Sequence, residues 1–200
     1  AKVVLNLKNA GLGALIGKVA ARAGKNAQLV QADGRVYLQS RRFDRTQQGR
    51  VGMVSLEMYD AHYIGIGSQW AATAMQTARA GAESLTAADI QTLCLLDAFG
   101  ALIANTDRHH GNVSLLLHQH RWQLAPAYDM LPMFYAPVAG EVVERDWSSQ
   151  LPRPNAYTLG VWSQAKALAL LFWQNAAADQ RISDAFRQVA CVNGGLVQAL

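Results

Sequence analysis

The feature that most constrains the fold of this chain is a segment of 20 residues, TAADIQTLCLLDAFGALIAN (86–105), whose apolar side chains recur with helical spacing. Thr86 can cap the first turn, and Asp89 then stands near the positive end of the helix dipole. The apolar positions that share one face are Ile90, Leu93, Cys94, Ala98, Ala101 and Leu102. The segment therefore predicts a helix with one buried face.

Two segments of alternating polar and apolar residues predict antiparallel hairpins. In QLVQADGRVYLQSRRF (28–43), the two runs flank Asp33 and Gly34, a pair that favours a tight turn. In VSLLLHQHRWQLA (113–125), we expect the turn around Gln119. The second hairpin follows a polar stretch, NTDRHHGN (105–112), which separates it from the long helix.

Further helices are predicted on both sides of these segments, and Pro126, Pro132 and Pro137 indicate a loop in PAYDMLPMFYAP. The helical segments are ALIGKVAARAG, ending at Gly24, SQWAATAMQTARAG, ending at Gly81, LGVWSQAKALALLFWQN and DQRISDAFRQVAC. Helices and antiparallel hairpins without βαβ alternation indicate an α+β fold that is mostly helical. The length fits a single domain over residues 1–200.

Composition narrows the class of protein. Apolar residues make up 51% and charged residues 16%, which is typical of a globular chain. Cys94 and Cys191 are too few for a disulfide framework and indicate a reduced, cytoplasmic protein. No apolar run reaches the roughly 18 residues of a membrane span, so we expect no membrane partner. The net charge of +4 comes mostly from scattered residues, which favours a mildly basic surface over a nucleic-acid groove.

The histidines and the glycines do not complete a known site pattern. Four of the five histidines lie between positions 109 and 120, but their spacing lacks the closed set of a zinc site. His118 and His120 flank the expected hairpin tip and are predicted to be solvated, and His110 is predicted to face solvent or to support its loop. GLGALIGK fits neither the dinucleotide nor the P-loop pattern, so we expect a closely packed helix of small residues there.

Asp107, Asn112 and Asp129 form the pattern that points most directly to chemistry. The first two are five residues apart, and the third follows the predicted hairpin. Because a hairpin returns the chain to its starting end, we expect Asn112 and Asp129 to lie together, with Asp107 on the adjoining loop. Amide and carboxylate oxygens suit Mg²⁺ that also binds phosphate, and a further carboxylate can accept a hydroxyl proton.

This order of residues occurs in phosphoryl transfer by protein kinases. The spacing also leaves an alternative open, a network of Asx turns that caps helices and satisfies a buried loop.

Three motifs together resemble the HipA family of bacterial toxin kinases. ANTDRHHGNVSLL is similar to the catalytic loop of that family, WQLAPAYDMLP to its Mg²⁺-binding segment, and SRRFDR to the stretch between its two lobes. The likeness runs from about Gly17 to Met133, and more loosely through the helical tail. RVGMVSLEMYDAHY resembles the YjjJ-type branch. The resemblance implies the C-terminal lobe of a kinase-like fold.

The resemblance also implies roles for single residues. Asp107 is then the catalytic base, Asn112 and Asp129 bind Mg²⁺, and His109 lies near the nucleotide. Gly111 is expected to let the loop turn so that Asn112 faces the metal.

In the stretch between the lobes, the resemblance implies that the backbone of Arg41 and Phe43 binds the adenine of ATP. Arg42 and Asp44 are expected to form an ion pair that holds this stretch. Family members phosphorylate proteins, in known cases of the translation machinery, and many pair with a DNA-binding antitoxin. A protein substrate, a helix-turn-helix antitoxin and indirect DNA association are therefore the expected partners.

The chain departs from the kinase pattern on its N-terminal side. A Gly-rich loop with serine, and a strand lysine paired with a helical glutamate, have no counterpart, because the first glutamate is Glu57. Because the chain also begins without methionine, we expect a fragment that lacks the N-terminal lobe, or a degenerate member. Three functions follow: an ATP- and Mg²⁺-dependent serine/threonine kinase, a non-catalytic pseudokinase-like or transcriptional-regulator module, or a metal-dependent nuclease.

Overall fold

The computed structural model describes most of the chain from residue 27 onward. The described residues are 27–32, 35–40, 42–67, 69–77, 81, 85–139, 141 and 143–200. Within them the helices are α1 (Leu56–Tyr63), α2 (Trp70–Thr77), α3 (Ala87–Leu102), α4 (Trp162–Ala178) and α5 (Asp184–Ala199). The strands are β1 (Ala27–Ala32), β2 (Arg35–Ser40), β3 (Arg45–Thr46), β4 (Gly49–Arg50), β5 (Met53–Ser55), β6 (Ser114–His118) and β7 (Arg121–Leu124). The predicted helix that ends at Gly24 lies outside the described residues.

Both predicted hairpins are confirmed. Strands β1 and β2 pair antiparallel and close with Ala32 opposite Arg35, so the chain turns at the predicted position; residues 33 and 34 themselves lie outside the described part. Strands β6 and β7 close with His118 opposite Arg121. Gln119 and His120 then form a two-residue turn with φ of 48° and 64°, the left-handed conformation that suits the twist of a hairpin.

Strand β5 and helix α1 were not predicted. Strand β5 adds to the hairpin, giving a sheet in the order β5-β6-β7. Ser55 then caps α1, since its Oγ accepts from the Met58 N–H at 3.2 Å. The Leu56 N–H donates to the Val113 carbonyl at 2.8 Å, which fixes the start of α1 beside the start of β6.

Helix α3 is the centre of the core. Thr86 caps it as predicted, because its Oγ1 accepts from the Asp89 N–H at 3.1 Å. The prediction of one buried face was too narrow, since every residue from 93 to 100 is buried. The reason is that α2 and α4 both pack on α3, and β7 contacts it as well.

The C-terminal helices close this core. Phe172 and Trp173 of α4 are fully buried, and the Trp173 indole N–H donates to the Leu102 carbonyl at 3.1 Å. Helix α5 packs on α4, and Asn193 exchanges hydrogen bonds with the Tyr135 hydroxyl. The predicted proline loop contains one short 3₁₀ turn, Met133–Tyr135.

The α+β class is confirmed, with helices dominant and three small antiparallel sheets among the described residues. Helix α2 ends at Thr77; residues 78–80, which precede the predicted end at Gly81, lie outside the described part. In the same part of the chain, no helix is long and apolar enough to cross a lipid bilayer.

Candidate active site

The loop between α3 and β6 holds Asp107 by its backbone. Asn105 is fully buried, and its Oδ1 accepts from the Asp107 N–H at 3.0 Å. From the other side, the Asn112 Nδ2 donates to the Asp107 carbonyl at 2.8 Å. The Asx-type contacts that the spacing left open are therefore present. They hold the backbone, whereas the Asp107 side chain remains 39% exposed.

Arg108 anchors the same loop to α3, a role that was not predicted from the sequence. Its Nε donates to the buried Asp97 carboxylate at 3.2 Å, and its Nη1 donates to the Asn105 carbonyl. The second Asp97 oxygen accepts from the Ala71 N–H at 3.1 Å. Gly100 leaves room for the Arg108 side chain, because a Cβ at position 100 would lie 2.6 Å from the Arg108 Cδ. The sequence contained one signal for this contact, Asp97 within an apolar helix, because a buried charge needs a partner.

His110 supports the loop from inside and does not face solvent. It is 5% exposed, and its Nε2 lies 2.8 Å from the Thr73 Oγ1. The Thr73 hydroxyl donates to Asp60 at 3.1 Å, so its oxygen accepts a hydrogen bond from the His110 Nε2–H. Burial lowers the pKa of His110, and the neighbouring His109 lowers it further. The negative charges of Asp60, Asp97 and Glu57 raise this pKa, but burial has the larger effect.

His109 points outward beside Asp107. Its side chain is 60% exposed, and its Nε2 lies 3.9 Å from the Asp107 Oδ1. The His109 carbonyl accepts from the Trp70 indole at 3.0 Å, and its Nδ1 accepts from the Gly111 N–H at 3.1 Å. Gly111 does not adopt left-handed backbone, and glycine is needed here for space, since a Cβ there would lie 2.9 Å from the His109 ring.

The hairpin brings the surroundings of Asn112 and Asp129 together. The Ala125 N–H donates to the Ser114 carbonyl at 2.9 Å, so the chain leaves β7 where it entered β6. The Tyr128 hydroxyl donates to the Gly111 carbonyl at 3.1 Å and lies 2.8 Å from the Ser114 Oγ. Asp129 follows, exposed and with φ of 55°. Burial raises the pKa of Tyr128, and the charge of Asp129 raises it further.

The stretch around Phe43 meets this end of the hairpin. The Phe43 ring stacks on Tyr128, with ring centroids 5.9 Å apart. The expected Arg42–Asp44 ion pair is present at 2.7 Å, and Arg45 adds a second contact at 2.6 Å. Hydrogen bonding from Arg42 lowers the pKa of the Asp44 carboxyl to about 2, and the charge of Arg45 contributes. Arg41 lies outside the described residues.

The loop also lines a cleft of about 730 Å³. Asp107 and His109 line it, together with Glu57 of α1, Asn105 and Trp147. Phe43, Asn112, Tyr128 and Asp129 do not line it. Asp107 therefore belongs to both regions, because its side chain lines the cleft and its carbonyl accepts from Asn112 at the end of the hairpin.

The donor set at the hairpin end fits a hard cation. The Nδ2 end of the Asn112 amide is engaged by the loop, which leaves Oδ1 as the end that can bind a metal. With the Asp129 carboxylate this gives two oxygen donors, the ligand type of Mg²⁺. No group of three or more His, Cys, Asp or Glu side chains in the described part could hold a metal. His118 and His120 are exposed, as predicted.

Comparison with known proteins places the chain in a family. The family described as "HipA-like C-terminal domain" matches residues 14–192. The chain belongs to this family. It is 36% identical over 163 residues to Toxin YjjJ of Escherichia coli (strain K12), covering 81% of this chain and 36% of that protein. Both the predicted family and the predicted branch are confirmed.

A solved structure shows the same fold. The Shewanella oneidensis MR-1 toxin–antitoxin complex of HipA, HipB and operator DNA matches with a TM-score of 0.54 at 14% identity. The match covers 98% of this chain and 54% of that one. The predicted HipA-like fold is thus confirmed. The chain spans little more than a third of its YjjJ relative and about half of the HipA chain.

Proposed function

We propose that this HipA-like chain carries the catalytic lobe of a cytoplasmic, ATP- and Mg²⁺-dependent serine/threonine protein kinase of the toxin type. The observation that carries the proposal is the contact between loop and hairpin. The Asn112 side chain donates a hydrogen bond to the Asp107 carbonyl. Tyr128, the residue directly before Asp129, donates a hydrogen bond to the Gly111 carbonyl. These contacts support the proposal, because Asp, Asn and Asp in this order serve phosphoryl transfer in protein kinases.

In the proposed mechanism, each residue has one role. The half-buried Asp107 carboxylate would accept the proton of the acceptor hydroxyl. Asn112 and Asp129 would hold Mg²⁺, which when bound would supply positive charge to the ATP phosphates. His109, beside Asp107, would lie near the nucleotide. The backbone of Arg41 and Phe43 would bind the adenine.

The cleft supports a protein acceptor. Asp107 lines the cleft whereas Phe43 and Tyr128 do not, which supports separate places for the acceptor and the nucleotide. A volume of about 730 Å³ accommodates a short extended segment that presents a serine or threonine. We propose a protein of the translation machinery as the substrate.

The test is phosphate transfer from ATP labelled on the γ-phosphate, with the full-length protein and the Asp107→Asn variant. Loss of the base should lower transfer by about 10²–10⁴-fold. Asp184→Asn is the matched control, since Asp184 is exposed and pairs only on the surface with Arg187. Transfer by Asp107→Asn at the wild-type rate would contradict the assignment. Nucleotide binding without transfer by the wild type would favour the non-catalytic module instead.

We also propose a helix-turn-helix antitoxin as a partner, with DNA reached through it. The support is the fold shared with a HipA that was solved with HipB and operator DNA. Co-expression with a helix-turn-helix protein encoded beside it should give one complex in size-exclusion chromatography. That complex, and not the kinase alone, should retard operator DNA in a gel.

A further inference from the structure

Tyr128 joins three segments that the proposed function uses separately. Its hydroxyl donates to the Gly111 carbonyl at 3.1 Å, so the Ser114 hydroxyl, 2.8 Å away, must donate to Tyr128. Its ring stacks on Phe43 at 5.9 Å with an interplanar angle of 29°. One side chain thus contacts the loop, the first residue of β6 and the stretch around Phe43.

The surroundings of Tyr128 leave it little freedom. The space that it shares with Asn112, Ser114 and Met130 is about 10 Å³, which is no more than one water needs. The side chain is half-buried, and its hydroxyl is engaged by both Gly111 and Ser114.

The position of Tyr128 in the sequence gives these contacts a consequence. Tyr128 precedes Asp129 directly, and Gly111 precedes Asn112 directly. The bond from Tyr128 to Gly111 therefore ties the two proposed ligands together one residue before each of them. A left-handed residue such as Asp129, with φ of 55°, depends on surrounding contacts to hold its backbone.

We propose that Tyr128 is a positioning residue for the cation site: its hydroxyl fixes the spacing between Asn112 and Asp129, and its ring fixes Phe43 against them. This inference rests on the proposed function. The Tyr128 side chain contacts Gly111, Ser114 and Phe43, so it would act through the two ligands. A similar outer contact around a metal site is worth roughly 10- to 100-fold in metal affinity.

The test uses Tyr128→Phe, which removes the hydroxyl and keeps the ring. In the full-length protein with ATP, Mn²⁺ binding is measured by electron paramagnetic resonance, and Mg²⁺ dependence is measured in transfer assays. We expect at least tenfold weaker Mn²⁺ binding and a matching rise in the Mg²⁺ needed for half-maximal rate. The KM for ATP at saturating Mg²⁺ should stay unchanged, because the stack on Phe43 remains.

Tyr135→Phe is the matched control. Tyr135 is also half-buried and also loses hydrogen bonds, to Asn193, but it lies on the α5 side of the fold. If Tyr128 were only structural, both variants would lower thermal stability alike and neither would change Mn²⁺ binding. Ser114→Ala removes the hydrogen bond between Ser114 and Tyr128 from the Ser114 side. This variant should also weaken Mn²⁺ binding.

The outcomes separate this inference from the proposed function. Wild-type protein that binds no Mn²⁺ with ATP overturns both. Wild-type binding with unchanged affinity in Tyr128→Phe and Ser114→Ala overturns the role of Tyr128 alone. Weaker Mn²⁺ binding in those two variants, with Tyr135→Phe unaffected, supports it even where no acceptor protein is known.

Discussion

His110 keeps its proton on Nε2, because Thr73 receives a hydrogen bond there while its own hydroxyl donates to Asp60. The same chain of contacts reaches the backbone of the α1–α2 connection, where Asp60 accepts from the Gly67 N–H at 2.7 Å. A second proton on the ring would place a positive charge in a buried position. The folded state therefore favours the neutral form of His110.

This burial makes stability depend on pH. The folded pKa of His110 lies below the ordinary value of 6.5, so the unfolded chain binds the proton more readily. The contribution of His110 to the free energy of unfolding is therefore complete above pH 6.5, and it declines as the pH falls below that value. Urea unfolding at pH 7.5 and pH 5.5 should show this decline in the wild type and a smaller one in His110→Gln. The exposed His118→Gln should behave as wild type; an equal decline in all three would contradict the assignment.

Among the elements, those with strong local signals were predictable from the sequence. The β6–β7 hairpin and α3 follow from alternation, helical spacing and the Thr86 cap. Strand β5 was missed because it has only 3 residues and depends on pairing with β6. Helix α1 was missed because its start depends on the tertiary hydrogen bond from Leu56 to Val113.

For the candidate site, the order Asp107, Asn112, Asp129 predicted which segments meet. The contacts of Asn105, Arg108 and Tyr128 could not be predicted, since they join residues that only the tertiary fold brings together. Their partners are backbone carbonyls and amides as often as side chains, and those leave no residue pattern in a sequence.

Two glycines within helices should respond oppositely to alanine. In α3, Gly100→Ala would place Cβ 2.6 Å from Arg108 and 3.3 Å from Met130, so unfolding free energy should fall by about 1–3 kcal/mol. In α5, Gly195 has no atom within 4 Å of such a Cβ, so Gly195→Ala should add about 0.5–1 kcal/mol. Denaturant titration of both variants checks this. Destabilisation by both would show that helix α5 does not tolerate the added methyl group.

At the scale of the whole molecule, the packing order predicts a gradient of local stability. Helix α3 contacts both α2 and α4, whereas β3 and β4 have two residues each and are largely exposed. Amides of residues 93–100 should exchange with deuterium only through global unfolding, and those of 45–50 through local opening. Mass spectrometry of exchange in increasing urea measures this. Early exchange of α3 would contradict its central place.

Adjacent histidines with opposite exposure give the protein a built-in chemical reporter. Diethylpyrocarbonate acylates accessible imidazoles, so it should label His109, whose side chain is 60% exposed, and spare His110, which is 5% exposed. His118, at the hairpin tip, serves as the reference outside the site. Protection of His109 but not His118 by ATP and Mg²⁺ would report occupancy of the site by footprinting, with no need for a phosphate acceptor.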